Sequence, residues 1–255
     1  MNLSNQQEIL KTLLYSDIFQ YPLTENELWR FAGAKMNKDA CHHALRNLTH
    51  LITKEGKYYY LTDRRGMVKK REERVKESER KVRFAKESVS LLRLVPSVVF
   101  IGISGSVAMK NCKKDDDIDL FIIARKNIVW FTRLCVLLLL QLTGKRRRRY
   151  DKTAANQICV NMFMSENALI FSRDRHSLYT AHEVIRMIPI FERGNVYNKF
   201  LHANSWVKEY LPNSLDTKRL RYKDTKREGE KSLNILISQY LNLLEPLAKA
   251  VQLWY

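Results

Sequence analysis

The sequence predicts an α+β fold, a small mixed sheet flanked by helices, with a helix-and-hairpin module ahead of it and a helical region behind. Three observations predict it. Short apolar, β-branched runs alternate with helical stretches through residues 95–175. Helical periodicity dominates both ends of the chain. A length of 255 residues, 45% of them hydrophobic, is enough to bury a core in one large domain or two modest ones.

Taken in order, residues 5–19 place Ile9, Leu10, Leu13 and Leu14 on one helical face, and Pro22 breaks the chain after them. Thr24-Glu25-Asn26-Glu27 is a capping box opening a second helix. A third helix, about 38–51, turns Ala40, Cys41, Ala44, Leu45, Leu48 and Leu51 inward and leaves Lys38, His42, Arg46 and His50 outside. Glu55-Gly56 then separates Ile52-Thr53 from Tyr58-Tyr59-Tyr60-Leu61, which reads as a hairpin. Three helices and a hairpin resemble a winged helix over residues 1–62. Such a segment could meet DNA or a protein partner, and its near-neutral charge favours packing or partner binding.

Residues 63–94 read as one charged connector helix from Arg64 to Leu94, with Glu77-Lys81 at i,i+4 spacing. In the 95–175 segment, Val98 to Ile101, then Ile118 with Leu120 to Ile123, then Ile158 to Met164 are the expected strands, and a helix spans 127–143. Gly144 ends that helix before the basic turn Lys145 to Arg149. Residues 176–255 are read as helical, with breaks at Pro189 and Pro212 and strong apolar periodicity from Leu233 to Tyr255.

A net charge of +18 attracts anions, and its placement is uneven: +1 over residues 1–62, +6 over 63–94, +6 over 95–184 and +5 over 185–255. The connector's charges read first as a solvated surface; nucleic-acid contact, where there is any, is expected at the connector and at Arg146, Arg147, Arg148 and Arg149, although cations also suit a helix end without any ligand. Cys41, Cys112, Cys135 and Cys159 form no C-x-x-C pair, which argues against a zinc cluster or a disulfide framework and fits a cytoplasmic protein. The N-terminus lacks the pattern of a secretory signal. Ile128 to Leu142 carries Arg133 and is too short for a bilayer span, so no membrane partner is expected.

The chemistry centres on residues 102–119. Asp117 and Asp119 stand in a D-x-D at the start of a strand, where alternation sends both side chains to one face. Two carboxylates in one place repel unless a cation neutralises them, and Mg²⁺ favours such oxygen ligands. Before them, Val98–Ile101 runs into Gly102-Ile103-Ser104-Gly105-Ser106 and a short helix from Val107, a turn suited to close approach by a phosphate.

Gly105-Ser106, ten residues, then Asp117-Ile118-Asp119-Leu120 resembles the signature of the DNA polymerase β-like nucleotidyltransferase superfamily. The resemblance covers about residues 96–165 and implies a palm-like domain. By it, Asp117 and Asp119 bind Mg²⁺ (or Mn²⁺) and act in catalysis, while Ser104, Gly105 and Ser106 seat the triphosphate of an NTP donor. With the winged-helix-like segment in front, the chain is similar to bacterial or archaeal members known only by that domain. The superfamily modifies RNA, proteins and small molecules, so the acceptor stays open.

In active members a third carboxylate completes the metal site, and by topology its position falls here on Asn161. An amide can ligate but cannot act as a base. Glu166 or Asp151 would have to substitute. Two readings follow: a Mg²⁺-dependent nucleotidyltransferase, or a catalytically impaired nucleotide-sensing or nucleic-acid- or partner-binding module. His182, His202, Trp206, Tyr210 and Trp254 are read as packing or surface residues rather than catalytic ones.

Overall fold

The computed structural model describes residues 3–148, 154–215 and 244–253. In chain order its elements are α1 Leu3–Ile18, β1 Leu23–Thr24, α2 Glu25–Phe31, α3 Lys38–Arg46, β2 Ile52–Glu55, β3 Tyr58–Leu61, α4 Met67–Ser88, β4 Val98–Ile103, α5 Gly105–Ala108, β5 Ile118–Ala124, α6 Val129–Leu142, β6 Ile158–Ser165, α7 Leu178–Arg186, β7 Ile188–Glu192, α8 Val196–Ala203 and α9 Val207–Tyr210. Residues 244–253 are helical. The result is a mixed α+β protein with two sheets, one in each of two compact units. The first unit comprises the chain up to Lys76, Phe171–Ile185 and the described residues of Ser205–Arg221; the second holds Glu77–Ile170, Arg186–Asn204 and the described residues of Tyr222–Tyr255.

In the first unit, Thr24 caps α2 through the Glu27 amide while the Glu27 carboxylate returns to the Thr24 N–H, the reciprocal box that its sequence implies. Asn37 caps α3 through the Ala40 N–H. That helix closes at Arg46, short of the expected 51, because the chain tightens into turns over 47–51; Leu48 remains buried and Leu51 is exposed. The three strands pair antiparallel in the order β1-β3-β2, with Gly56 at φ +59° turning the hairpin. Ile9, Leu13, Leu28, Phe31, Cys41 and Leu45 form the buried interior. His182 is buried too, stacked on Tyr15 at 5.1 Å, and Trp206 stacks on His176 at 4.0 Å, so both serve packing; His202 is exposed, and Trp254 lies outside the described residues.

The second unit is built on a four-stranded sheet in the order β6-β5-β4-β7. β4 runs antiparallel to both β5 and β7, and β5 runs parallel to β6. Every residue of β4 is buried, as expected of a central strand covered on both faces. Ala85 of α4, Val89 just past its end, and Val136 and Leu140 of α6 share one core with Val98, Ile101, Ile103, Ile118 and Leu120. Tyr197 and Phe200 of α8 cover the aromatic pair Phe100 and Phe121, with Phe100 stacked on Tyr197 at 5.3 Å and Phe200 5.1 Å from Phe121.

Two expectations change here. The connector is not one helix to Leu94: α4 ends at Ser88 and a 3₁₀ turn over Leu91–Leu94 redirects the chain into β4. The region after 176 is not all helical, because Ile188-Pro189-Ile190-Phe191-Glu192 is a strand on β4. Proline is tolerated there because β7 is an edge strand and Pro189 falls where the register shifts. Among the described residues no helix is long and apolar enough to cross a membrane.

Candidate functional site

β4 leads into the site without a break in pairing, since the Ser104 N–H donates to the Asp119 carbonyl at 2.9 Å. Gly105 then takes φ +63°, a left-handed conformation, and the turn packs so closely that a β-carbon there would overlap Oδ2 of Asp119. The helix expected after it, α5, is a single turn. Ser106 does not present its hydroxyl freely: Oγ donates to Oδ2 of Asp116 at 3.1 Å, and the same oxygen accepts from the Lys113 N–H at 2.8 Å. Asp116 thus ties its own loop together. Ser104 is 4% exposed, and its Oγ has no hydrogen-bond partner among the described residues.

The loop before β5 is anchored from beneath by α4. Lys81, fully buried, donates from Nζ to the carbonyls of Lys113, Lys114 and Asp116 at 2.8, 3.0 and 2.5 Å. The spacing singled out in sequence is present as well, with Glu77 3.9 Å from Lys81. Ser78 meets Cys112 one turn earlier, 3.1 Å from Oγ to Sγ. This arrangement delivers Asp117 to the mouth of β5.

The parallel register of β5 on β6 sets Cys159 beside Asp119. Among the described residues, the ligand atoms of Asp117, Asp119 and Cys159 converge within 4.8 Å of one another, each half-buried. Burial, and secondarily the charge of Asp117, pushes Asp119 up to about 6 from 3.8, against the downward pull of a hydrogen bond with Cys159 and the charge of Arg147. Burial and then the two carboxylates push the Cys159 thiol up to about 11.

Cys159 was not among the sequence candidates. The position that was, Asn161, is exposed and sits where the register slips between Leu120 and Phe121. Glu166 lies at the far end of β6, its N–H on the Ala124 carbonyl and its carboxylate accepting from the Lys126 N–H at 3.1 Å. Asp151 lies outside the described residues.

The basic turn reaches the same place. Lys145 and Arg147 pair with Ile158 through backbone hydrogen bonds of 2.7 and 3.0 Å, and Arg146 makes a parallel bridge to Ile158. This short ladder carries the Arg147 guanidinium onto the Asp117 carboxylate. Arg148 is exposed, and Arg149 lies outside the described residues.

Chemically, the arrangement offers two carboxylates and a sulfur converging beside a close-packed glycine turn, with a guanidinium supplying the nearest positive charge. Comparison of the chain with known protein families, with characterised proteins and with solved structures finds no match.

Proposed function

We propose that this chain binds a divalent cation together with a nucleoside triphosphate and transfers the nucleoside monophosphate to an acceptor, on a palm-like nucleotidyltransferase unit. The observation that carries the reading is the convergence of Asp117 and Asp119 beside the Gly105 turn. The residues suit a cation: the donor set is anionic, Gly105 leaves no room for a side chain over Asp119, and Ser104 holds a buried hydroxyl in need of a partner. Asp117 and Asp119 would hold the metal. When bound, a divalent cation neutralises phosphate oxygens and the charge that develops in transfer.

The chain's own contribution is placement. Ser104 and Gly105 would meet the phosphates, and Ser106 would act indirectly by fixing Asp116 and the loop ahead of Asp117. Lys81 holds that loop rigid. Arg147, already on a carboxylate of the site, is the side chain best positioned for an anionic donor. The helix-strand-helix-helix-hairpin order of residues 3–61 supports a winged helix as partner-binding module. The outer face of α3 presents Lys38, His42 and Arg46, of which His42 is held by Glu25 at 3.0 Å.

A second reading, a nucleotide-sensing module with little catalysis, draws on Cys159. Where a third carboxylate would help remove the acceptor's proton, the chain offers a thiol whose high pKa makes it a poor base at neutral pH.

The test is incubation with each of four α-labelled NTPs, Mg²⁺ or Mn²⁺, and total RNA, protein or metabolite pools, alongside thermal shift. Transfer lost in Asp117→Ala supports the enzyme. A metal-dependent nucleotide shift without transfer supports the sensor. No shift with any nucleotide overturns both.

A further inference from the structure

Cys159 changes which cation the site prefers. We propose that Asp117, Asp119 and Cys159 together form a three-ligand site selective for a borderline, thiophilic divalent cation such as Zn²⁺ over Mg²⁺. The inference deepens the metal-binding part of the proposed function and rests on it.

Three observations carry it. First, the side chains are brought together by backbone pairing rather than by a mobile loop: Asp119 and Cys159 are direct partners in the β5-β6 ladder, and neighbours in a parallel pair share a face. Second, the three ligand atoms already lie within 4.8 Å of one another, and closing that span to the roughly 3.3–3.8 Å edges of a tetrahedron with bonds of about 2.0–2.3 Å takes only side-chain rotation. Third, the turn packed on Asp119 begins at Ser104, whose hydroxyl is buried with no partner among the described residues. A buried hydroxyl is costly to leave unpaired, and an oxygen ligand completing the ion's coordination would supply that partner.

The donor chemistry then selects the ion. Mg²⁺ demands near-octahedral oxygen coordination and gains little from sulfur. Zn²⁺ and its spectroscopic substitutes Co²⁺ and Cd²⁺ accept two carboxylates and a thiolate, with one position open for a further ligand. Binding is balanced by loss of the Cys159 proton to solvent as the metal-sulfur bond forms. Arg147 would remain at the outer side of Asp117, able to meet an anionic fourth ligand.

The experiment uses the full chain, stripped with chelator and titrated separately with Mg²⁺, Zn²⁺ and Cd²⁺ by calorimetry, with ultraviolet absorbance following the Cd²⁺ series. The wild type should show a thiolate-to-metal charge-transfer band at one equivalent of Cd²⁺ and bind Zn²⁺ at least about a hundredfold more tightly than Mg²⁺. Cys159→Ser should lose the band and about tenfold or more of the Zn²⁺ affinity while leaving Mg²⁺ affinity within about twofold. Cys159→Asp, which keeps a ligand at the position, should lose the band and narrow or reverse the preference. Cys135→Ser should change nothing.

Retention of the band in both Cys159 variants would overturn the inference by placing the thiolate elsewhere. Mg²⁺ binding lost in Asp117→Ala, with no band and no Zn²⁺ preference in the wild type, would overturn it while sparing the carboxylate site. Absence of binding by all three ions would overturn the metal-binding part of the proposed function as well.

Discussion

Lys81 and Asp116 are joined by a hydrogen bond of 2.5 Å from a fully buried ammonium to a backbone carbonyl, so the loop presenting the site's first carboxylate hangs on a residue of α4. The same ammonium serves two further carbonyls, which makes it a three-point anchor. Lys81→Met keeps most of the volume but leaves three acceptors without their donor. It should lower stability by roughly 2–4 kcal/mol and weaken cation binding. Lys110→Ala removes a half-exposed lysine 3.7 Å from Glu79 and should cost less than about 1 kcal/mol. Equilibrium denaturation of both variants, with cation titration of the first, checks the contrast; equal losses would contradict the anchor.

Gly105 and Gly56 separate two causes of glycine dependence. Both have positive φ, +63° and +59°, but Gly56 has open space around its Cα and Gly105 faces the Asp119 carboxylate. Gly56→Ala should cost about 1 kcal/mol from conformation alone. Gly105→Ala adds a steric clash and should cost roughly 2–4 kcal/mol, while impairing cation binding. Urea denaturation of the two variants measures the difference.

The pH dependence has a definite sign. Asp119 is raised from 3.8 to about 6 in the folded state, so over that window the folded chain binds the proton more tightly than the unfolded chain. Its contribution to stability is fully present below the ordinary value and is lost as pH rises through about 6. With chelator present, Asp119→Asn should therefore gain stability relative to wild type as pH rises across this window. Parallel stability profiles for the two proteins would contradict the shift.

Arg147 and a bound cation both act on Asp117, so Arg147→Ala should tighten binding of a divalent cation alone, by about two- to tenfold for a pair whose guanidinium is exposed and whose carboxylate is half-buried. Weakened binding would instead show that the guanidinium organises the site. Calorimetry in low and moderate salt distinguishes this from general charge, because Arg148→Ala should reproduce only the salt-screened part.

Local chemistry made much of this protein legible in its sequence. The Thr24–Glu27 box, the Gly56 hairpin, the apolar runs that became β4, β5 and β6, and the turn before Asp117 are each specified by residues within a few positions of one another. The D-x-D spacing is enough to suggest that Asp117 meets Asp119, although Asp117 stands in the loop just ahead of β5. What only the tertiary structure decided involves residues far apart in the chain. Cys159 joins Asp119 because a parallel ladder sets its register across 40 positions, and a slip of that register puts Asn161 in solvent. Lys81, in a run of charges that read as solvated, is buried because three carbonyls of a distant loop need its hydrogens. The strand at Pro189 forms because β4 has an edge left to pair, and Arg147 reaches Asp117 because the chain after α6 pairs with Ile158. Periodicity records which face of an element is buried; it carries no information about which distant backbone will lie beside it.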